Sequence, residues 1–414
     1  MLNSKRSGGN VPNRAPLLAI CGLGLLLASS TAAQTWNQVW SDEFNGAAGT
    51  AIDTAKWKFE TGILNVNNEV EYYCAPTSSA GGCNSAKPNA YIDGQGHLVI
   101  QAIKINSSTA PNSGSWTSAR MTTDGTKPFQ YGRAEARMML PVGPGIWPAF
   151  WALGTNISTV EWPTCGEIDY MENVPAQGGL GPTKISSTLH ASGYSGDKGL
   201  PKKYTFPNGD VTGWRTYGAI WSPNMIQFYV DDPSKAFYVI TASDVPAGQG
   251  WAFNHPFFLL MNLAVGGHGS WPGPADATTP MPAVMTVDYV RIYKATAVPR
   301  PSMGTPASIT VKAGAASGNT TNVEVGNKLG TGRVFLSCTT TAPKAACQVS
   351  TGDALNPKTL DFSKSDKAIA TITVSTNSGG ETAAGNYSII VNAYTVGGDG
   401  TVPDATVNVP LNVN

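Results

Sequence analysis

The amino-acid sequence predicts an all-β protein that contains two successive β-sandwiches. Between residues 34 and 294, short β-branched and aromatic runs alternate with Gly, Pro and Asn turns. Runs of this kind occupy residues 97–103, 226–230, 257–265 and 284–293. Many short strands at this spacing are typical of two antiparallel sheets packed face to face. A change of composition after Tyr293 predicts that a second, smaller domain follows.

Residues 1–33 predict a secretory signal peptide. Lys5, Arg6 and Arg14 form a basic segment, and the apolar run that follows at residues 15–30 is short for a membrane span. The small residues at 31–33 suit cleavage before Gln34. We therefore expect a secreted protein with no membrane attachment after cleavage. A retained membrane anchor is the alternative.

Composition limits the partners that the chain is expected to bind. The formal net charge is zero and only 13% of the residues are charged. This balance argues against nucleic acid or an acidic membrane surface as a partner. We expect a monomer.

The cysteines predict two local disulfides. Cys21 lies in the signal segment, which leaves five of the six cysteines. Each of two pairs flanks a short loop of small residues, as expected for disulfides in an oxidising compartment. The pairs are Cys74 with Cys83 and Cys338 with Cys347. Cys165 is left over and is interpreted as a small buried apolar thiol.

Three carboxylates fall within six residues of the segment G-E-I-D-Y-M-E-N at 166–173. They are Glu167, Asp169 and Glu172, on a run that otherwise has the pattern of a strand. Side chains alternate along a strand, so Glu167 and Asp169 share a face and Glu172 falls on the other. A β-bulge at residues 170–171 would bring Glu172 back beside them.

This geometry predicts a spacing suited to glycoside hydrolysis. Four steps of ~3.3 Å separate the two Glu Cα atoms by roughly 13 Å. Side chains that reach ~4 Å toward one another leave about 5 Å between the carboxyls, which is the spacing of retaining glycosidases. A solvated acidic strand or a cation site is the alternative.

The motif E-I-D-Y-M-E resembles the active-site strand of glycoside hydrolase family 16 in its bulged, laminarinase-like form. Further blocks in the family's order support the resemblance over roughly residues 36–294. They are W-S-D-E-F-N-G at 40–46, Y-G-R-A-E-A-R at 131–137, G-I-W-P-A-F-W at 145–151, P-F-F-L-L-M-N-L-A-V-G-G at 256–267 and V-D-Y-V-R-I-Y at 287–293. The resemblance implies a β-jelly-roll catalytic domain at 34–296, with a substrate cleft on its concave sheet.

The resemblance also implies the chemistry and the catalytic residues. It implies a retaining endo-β-1,3-glucanase that needs no cofactor for catalysis and takes a β-1,3-glucan of the laminarin type as its polysaccharide substrate. Glu167 corresponds to the nucleophile and Glu172 to the general acid/base. Asp169 lies between them and is suited to orient the nucleophile by a hydrogen bond.

Aromatic residues near the acidic strand are expected to form the walls of sugar subsites. Sugar rings present apolar faces that stack on aromatic side chains. The tryptophans concerned are Trp147, Trp151, Trp162 and Trp271. Packing in the core is the alternative for each of them.

Polar residues that match sugar-binding positions of the family complete the expected cleft. They are Arg133 in the Y-G-R block, Asn67 or Asn68 before Glu69, and His190 in S-T-L-H-A-S-G. Arg137 is interpreted as structural. A satisfied core histidine is the alternative for His190.

The resemblance further implies a structural calcium ion on the convex side of the domain. Glu43 and Asp288 lie in the matching blocks and offer the hard oxygen ligands that calcium prefers. Two ordinary strand-end acids are the alternative. No zinc site is expected, because the cysteines are paired and only four histidines are present.

The C-terminal part of the chain is expected to be a separate domain. Residues 297–306, A-V-P-R-P-S-M-G-T-P, predict a linker. Residues 307–414 are rich in Thr and Val, contain no Trp and predict a smaller immunoglobulin-like β-sandwich. We favour a spacer or stabiliser over a glycan-binding module, because a binding platform normally needs more aromatic residues than this segment has. The aromatic residues of this segment are Phe335, Phe362, Tyr387 and Tyr394.

Other functions on the same fold stay open at this stage. A hydrolase of mixed-linkage glucan or of a marine galactan shares much of the motif pattern. A β-glucan-binding lectin is a second class, but such relatives have typically lost the catalytic glutamates, which this chain keeps.

Overall fold

The computed structural model describes residues 35–105, 115–222, 224–297, 300–316, 319–327, 333–352, 357–362, 365–395 and 403–414. The expected signal peptide lies outside the described residues, as do residues 298–299 of the expected linker. Within the described ranges about 50% of the structure is strand and about 5% is helix, which confirms the predicted all-β class. None of the helices in these ranges is long and apolar enough to span a membrane.

The larger N-terminal domain, up to residue 297, contains seventeen of the described strands. They are β1 (Thr35–Asp42), β2 (Lys58–Glu60), β3 (Glu71–Tyr73), β4 (Ala90–Ile92), β5 (Leu98–Lys104), β6 (Trp116–Ser118), β7 (Arg120–Thr122), β8 (Gly132–Met139), β9 (Ile146–Gly154), β10 (Glu167–Glu172), β11 (Lys184–His190), β12 (Leu200–Thr205), β13 (Arg215–Ser222), β14 (Met225–Val230), β15 (Ala236–Thr241), β16 (Phe257–Val265) and β17 (Ala283–Ala297). One helical turn, α1 (Ile157–Val160), and four 3-10 turns connect them; the 3-10 turns are Ala80–Gly82, Ala176–Gly178, Gly196–Lys198 and Ala242–Asp244.

Two sheets form this domain. The seven-stranded sheet has the order β12-β11-β10-β9-β16-β7-β2. The ten-stranded sheet has the order β15-β14-β13-β8-β17-β5-β6-β3, and β1 and β4 pair with β17 and β5. We call them the cleft sheet and the outer sheet. The acidic strand β10 therefore lies near the centre of the cleft sheet, between β9 and β11.

The domain core lies between the two sheets and includes a column of aromatic rings. Phe150 of the cleft sheet stacks on Tyr170, with ring centroids 4.9 Å apart. Tyr170 meets the edge of Phe228, which belongs to the outer sheet, at 6.3 Å. All three rings are at most 2% exposed. Aromatic burial of this kind holds the acidic strand firmly against the outer sheet.

The C-terminal segment forms a second sandwich with a core of its own. Its strands are β18 (Ser302–Met303), β19 (Ile309–Val311), β20 (Asn319–Gly326), β21 (Arg333–Thr340), β22 (Ala346–Ser350), β23 (Thr359–Asp361), β24 (Lys367–Ser375), β25 (Gly385–Thr395) and β26 (Ala405–Val413). They form the sheets β18-β20-β24-β22 and β19-β26-β25-β21-β23. Because β18 lies within the expected linker and already pairs with β20, part of that linker contributes to the second sandwich.

The cysteines behave as the sequence predicts. Cys74 is bonded to Cys83, and Cys338 is bonded to Cys347. Cys165 is free and fully buried, and burial raises the pKa of its thiol to about 11. It packs beside Leu153 and Phe258 as a small apolar side chain.

The ring column predicts a large energetic cost for loss of Phe150, the ring at its cleft-sheet end. Phe150→Ala should lower the free energy of unfolding by about 3–5 kcal/mol, since it leaves a cavity beneath the acidic strand. Chemical denaturation followed by tryptophan fluorescence measures this loss. Val160→Ala, at a side chain that is 37% exposed, is the control and should change stability by no more than about 0.5 kcal/mol. An equally small effect for Phe150→Ala would contradict the described packing.

Candidate active site

A β-bulge in β10 brings the three carboxylates to one face of the cleft sheet. Glu167, Asp169 and Glu172 pair with His190, Thr188 and Ser186 of β11, so the two strands lose register after Asp169. The pairing with β9 shifts in the same place. Two residues of β10 therefore occupy the space of one. The predicted bulge at residues 170–171 is confirmed.

The side chains of the bulge explain why the strand tolerates it. Tyr170 and Met171 are consecutive, yet both are buried in the core between the sheets, as is Ile168. The extra inward residue returns Glu172 to the outward face, where Glu167 is also half-buried. The bulge thus buries one more apolar side chain in the core and disrupts the hydrogen-bonded ladder of β10 at one position.

Two tryptophan indoles donate hydrogen bonds to Glu167 and Glu172, the first and last of the three carboxylates. Trp162 Nε1 donates a hydrogen bond to Glu167 Oε2 at 2.6 Å. Trp147 Nε1 donates to Glu172 Oε1 at 3.1 Å. Each glutamate therefore has a nearby N–H group that stabilises its charged form.

The central carboxylate lies against a histidine. His190 Nε2 is 3.3 Å from Asp169 Oδ2. Asp169 is only 2% exposed and also hydrogen-bonds the side chain of Glu167. A cluster of Glu167, Asp169 and His190 also has the ligand types of a metal site, with candidate ligand atoms within 4.8 Å of one another. Asp169 contacts both of the other residues, so the three side chains lie together through their mutual contacts.

Burial raises the pKa of each carboxyl group in this cluster. The pKa of Glu167 rises to about 8, through burial and then through the negative charge of Asp169. The pKa of Glu172 rises to about 7, and the opposing effects there are attraction to His190 and repulsion from Glu167. The pKa of Asp169 is raised well above its usual range by burial and by repulsion from Glu172. Three such groups do not all ionise near neutral pH, so the cluster retains at least one proton.

A hydrogen-bonded wall extends from β9 along the same face of the sheet. Trp151, which pairs with Asp169, donates its indole N–H to Asn262 Oδ1 at 2.8 Å. Asn262 Nδ2 donates to the hydroxyl of Tyr73 at 3.0 Å, and Tyr73 donates to Glu69 Oε2 at 3.1 Å. This network includes one predicted sugar-binding residue, Trp151. Through Asn262 and Tyr73 it links Trp151 to Glu69, in the loop of residues 67–69.

The predicted asparagines and Trp271 lie in loops that border this wall. Asn67 Nδ2 donates to Glu69 Oε1 at 3.2 Å. The backbone oxygen of Asn68 accepts a hydrogen bond from the N–H of Gly267 at 2.9 Å, which joins the two loops. Trp271 meets Trp147 edge to face, with ring centroids 5.6 Å apart. Trp271 is 38% exposed and Trp162 is 47% exposed, so both keep ring surface available to a ligand.

Arg120 is a cleft residue that the sequence analysis did not single out. Its guanidinium lies over the Trp151 ring, 4.6 Å from the centroid, and its Nε is 2.5 Å from Glu60 Oε2. It stands on β7, a strand of only three residues, where alternation is too short to indicate a face. Asn262 was also missed, although a lone amide inside the apolar run at 257–265 was a usable signal, since buried polar groups need partners.

The prediction that Arg133 binds sugar is wrong. Arg133 stands on β8 of the outer sheet, where Ala134 and Ala136 face the core. Alternation therefore directs Arg133 to the opposite face, away from the cleft sheet. Its guanidinium lies over the rings of Trp36 and Tyr293, at 5.1 and 3.9 Å from the centroids.

The residues expected to bind calcium do not fit a calcium site. Glu43 accepts two hydrogen bonds from Arg291, at 2.9 and 2.6 Å, and this pairing lowers the pKa of Glu43. Asp288 is paired with Arg137. Each carboxylate thus already has a guanidinium partner, and among the residues that the structure describes neither belongs to a cluster of three potential ligands. The expectation of calcium at Glu43 and Asp288 is not supported.

Comparison with protein families identifies the class. The model of the glycosyl hydrolases family 16 matches residues 82–291, and the chain belongs to that family. The match includes the bulged strand and most of the cleft sheet. The expected family is confirmed.

Relatives with named functions are similar over about two thirds of the chain. The chain is 34% identical to a beta-glucanase of Rhodothermus marinus over 274 residues, 64% of this chain and 87% of the relative. It is 35% identical to glucan endo-1,3-beta-glucosidase A1 of Niallia circulans over 276 residues, 62% of this chain. It spans only 38% of that longer relative. The X-ray structure of an endo-beta-1,3-glucanase from Pyrococcus furiosus superimposes with a TM-score of 0.55 at 41% identity, covering 64% of this chain and 96% of that one.

The carboxyl cluster predicts the direction of a titration change. Asp169→Asn should lower the pKa of Glu167, because it removes the negative charge that disfavours ionisation of that neighbour. Repulsion is mutual, so the pKa of Glu172 should fall as well. NMR titration of 13C-labelled glutamate carboxyls measures both values. Asp276→Asn, at an exposed position, is the control, and an unchanged or raised pKa of Glu167 in Asp169→Asn would contradict the described coupling.

Proposed function

We propose that this protein is a secreted endo-β-1,3-glucanase that hydrolyses laminarin-type glucan with retention of configuration. One observation carries the proposal: a bulged strand in a family 16 chain presents two glutamates on one face, each held by an indole N–H. The activities named for these relatives support glucan as the substrate class.

In the proposed mechanism, Glu167 is the nucleophile. Its carboxylate attacks the anomeric carbon and displaces the leaving sugar, which forms a covalent glycosyl-enzyme. Attack requires the ionised form of Glu167, and the Trp162 N–H at 2.6 Å favours that form against the burial and the Asp169 charge that raise its pKa to about 8. The hydrogen bond between Glu167 and Asp169 limits the rotation of Glu167. It needs a proton on one of the two groups, and that proton must be on Asp169 when Glu167 attacks.

Glu172 is proposed to be the general acid and then the general base. Its pKa of about 7 keeps a substantial protonated fraction near neutral pH, so it can protonate the leaving oxygen. After the first product leaves, the same carboxylate removes a proton from the water that attacks the glycosyl-enzyme. No cofactor takes part in either step.

The walls of the cleft are proposed to bind the sugar chain. Trp162 and Trp271 each keep more than a third of their surface exposed, which suits stacking on sugar faces. Trp147 and Trp151 have their N–H groups engaged, and Arg120 covers one face of Trp151, so the remaining ring surface rather than the polar edges is proposed to meet the ligand. We propose hydroxyl contacts for Asn67, Asn68, His190 and Arg120.

Secretion is proposed on two grounds. The basic and apolar segments of residues 1–33 have the order of a signal peptide. Both disulfides are of a type that persists in an oxidising compartment. We also propose that the protein acts as a monomer and is not attached to a membrane after processing.

A substrate panel tests the proposed specificity. Reducing-sugar release from laminarin, lichenan, agarose and carrageenan should be fastest on laminarin. Comparable release from lichenan would mean that the enzyme accepts mixed linkages. Release confined to agarose or carrageenan would replace the proposal with a galactan hydrolase, and binding to laminarin without any release would replace it with a lectin.

Substitution of the two glutamates tests their roles. Glu167→Gln and Glu172→Gln should each lower kcat by about 10³-fold or more with the fold intact, since each removes one of two indispensable groups. On an activated aryl glycoside, azide should restore turnover of Glu172→Gln and give a β-azide. Asp276→Gln is the exposed control. A β-azide from Glu167→Gln would reverse the two assignments.

The stereochemistry gives an independent test. Proton NMR of the first product should show the β-anomer before mutarotation, because two successive inversions at the anomeric carbon give net retention. Appearance of the α-anomer first would exclude a glycosyl-enzyme at Glu167.

A further inference from the structure

The second sandwich is docked on the outer sheet through a small apolar cluster. Phe335 of β21, which is 5% exposed, packs with Ile220, Met225 and Tyr229 of the N-terminal domain. Partly buried residues surround this contact from both domains: Trp36, Val239 and Tyr394. We call these seven residues the docking cluster. Phe335 is not part of the apolar core of its own sandwich. Its burial therefore arises from contact with the N-terminal domain.

Two polar contacts flank the docking cluster. Arg333 Nη1 donates a hydrogen bond to the backbone oxygen of Ala236 at 3.3 Å. Lys358 Nζ is 2.6 Å from Asp244 Oδ1 and 3.1 Å from Ser243 Oγ. The acceptors lie at the start of β15 and just beyond its end, so the contacts hold both ends of this strand.

β15 is an edge strand, so contacts from the second sandwich can stabilise a strand that has a sheet neighbour on one side only. It is the last strand of the outer sheet, and its free side carries unpaired backbone groups. Arg333 supplies a hydrogen-bond donor to one backbone group of this strand, the oxygen of Ala236. The contacts therefore fall at the first residue of this six-residue strand, at Val239 in the docking cluster, and at residues 243–244 just after the strand.

The docked surface faces away from the substrate cleft. On β14, Ile226 and Phe228 enter the core between the sheets, whereas Met225 and Tyr229 belong to the docking cluster. Alternation places these two sets on opposite faces of the outer sheet. The second sandwich therefore covers the face opposite the core, with the cleft sheet on the far side of the domain.

A buried charged group lies beneath the docked surface. Tyr229, a member of the docking cluster, donates its hydroxyl to Glu135, which is 6% exposed. Tyr293 donates to the other oxygen of Glu135 at 3.2 Å, and Arg133 lies 3.5 Å from the same carboxylate. Arg133 in turn lies over Trp36 of the docking cluster. Covering this group keeps water from a carboxylate whose partners are fixed by packing.

The aromatic residues of the second sandwich are all engaged within the protein. Phe335 and Tyr394 belong to the docking cluster. Phe362 is fully buried in the core of the sandwich. Tyr387 packs against that core and donates its hydroxyl to the backbone oxygen of Ala383 at 3.1 Å. None of the four is left as a platform for stacking on a sugar ring.

We propose that the second sandwich is an intramolecular clamp that stabilises the edge of the outer sheet, and not a glycan-binding module. The partner of its Phe335 surface is the β14–β15 hairpin of the same chain. This inference goes beyond the proposed hydrolase activity and does not depend on it.

Hydrogen exchange of the intact chain tests the clamp. In Phe335→Ala, backbone amides of residues 225–241 should exchange about tenfold faster or more, because the hairpin loses its apolar cover. Mass spectrometry of peptic peptides locates the change. Ile369→Ala, a second-sandwich residue that is 58% exposed, is the matched control and should leave these peptides unchanged. Unchanged exchange at residues 225–241 in Phe335→Ala would overturn the proposal.

A second variant guards against unfolding of the sandwich itself. Lys358→Met removes a polar contact at the surface and should speed exchange near residues 241–244 without altering peptides of β24 or β25. If exchange in Phe335→Ala also rises throughout β24 and β25, Lys358→Met alone decides the question, and no change near residues 241–244 would overturn the clamp.

Sedimentation with particulate curdlan, an insoluble β-1,3-glucan, tests whether the second sandwich binds glycan. Native protein and Tyr394→Ala should bind the insoluble glucan equally, within about twofold. The reason is that the Tyr394 ring packs against the docking cluster and is not presented to a polysaccharide in solution. A loss of binding of about tenfold or more in Tyr394→Ala, with normal exchange at residues 225–241, would show that this surface binds glycan and would overturn the proposal.

Discussion

The arrangement of the site depends on one irregularity, the bulge that buries Tyr170 and Met171 side by side. A regular strand would direct one of the two glutamates into the core, where an unpaired carboxylate is costly. Burial of two consecutive apolar side chains shifts the alternation by one position and stabilises the bulged form at the same time. Packing between the sheets, rather than any interaction among the acids, therefore keeps three mutually repelling carboxyls together.

The surrounding residues moderate this repulsion in different ways. Indole N–H groups favour the charged forms of Glu167 and Glu172, and His190 lies beside Asp169. These donors are uncharged or weakly basic, so they do not neutralise the cluster as arginine would. Arg120 lies further along the same face and is already paired with Glu60. The raised pKa values follow from this absence of a close, permanent cation combined with burial.

The sequence predicted the local features well and the assignment of sheet faces poorly. The bulge followed from the spacing of Glu167 and Glu172, and the disulfides followed from short loops, because both depend on neighbours in the chain. Arg133 was assigned to the cleft from the family resemblance. Alternation along its strand could not correct this, because it shows which residues share a face but not which face meets the cleft. The docking of Phe335 was not foreseen either, because an inward and an interface position have the same hydrophobic pattern in a strand.

The mutual repulsion of Glu167 and Glu172 has a consequence for the catalytic cycle under the proposed assignment. Repulsion from ionised Glu167 is one of the causes that raise the pKa of Glu172. Formation of an ester at Glu167 abolishes that charge, so the proton affinity of Glu172 should drop at the moment when it must change from donor to acceptor. Hydrolysis of the ester restores the charge and with it the higher affinity. The spacing of the two side chains thus makes the covalent step itself a proton-affinity switch, with no movement of the protein required.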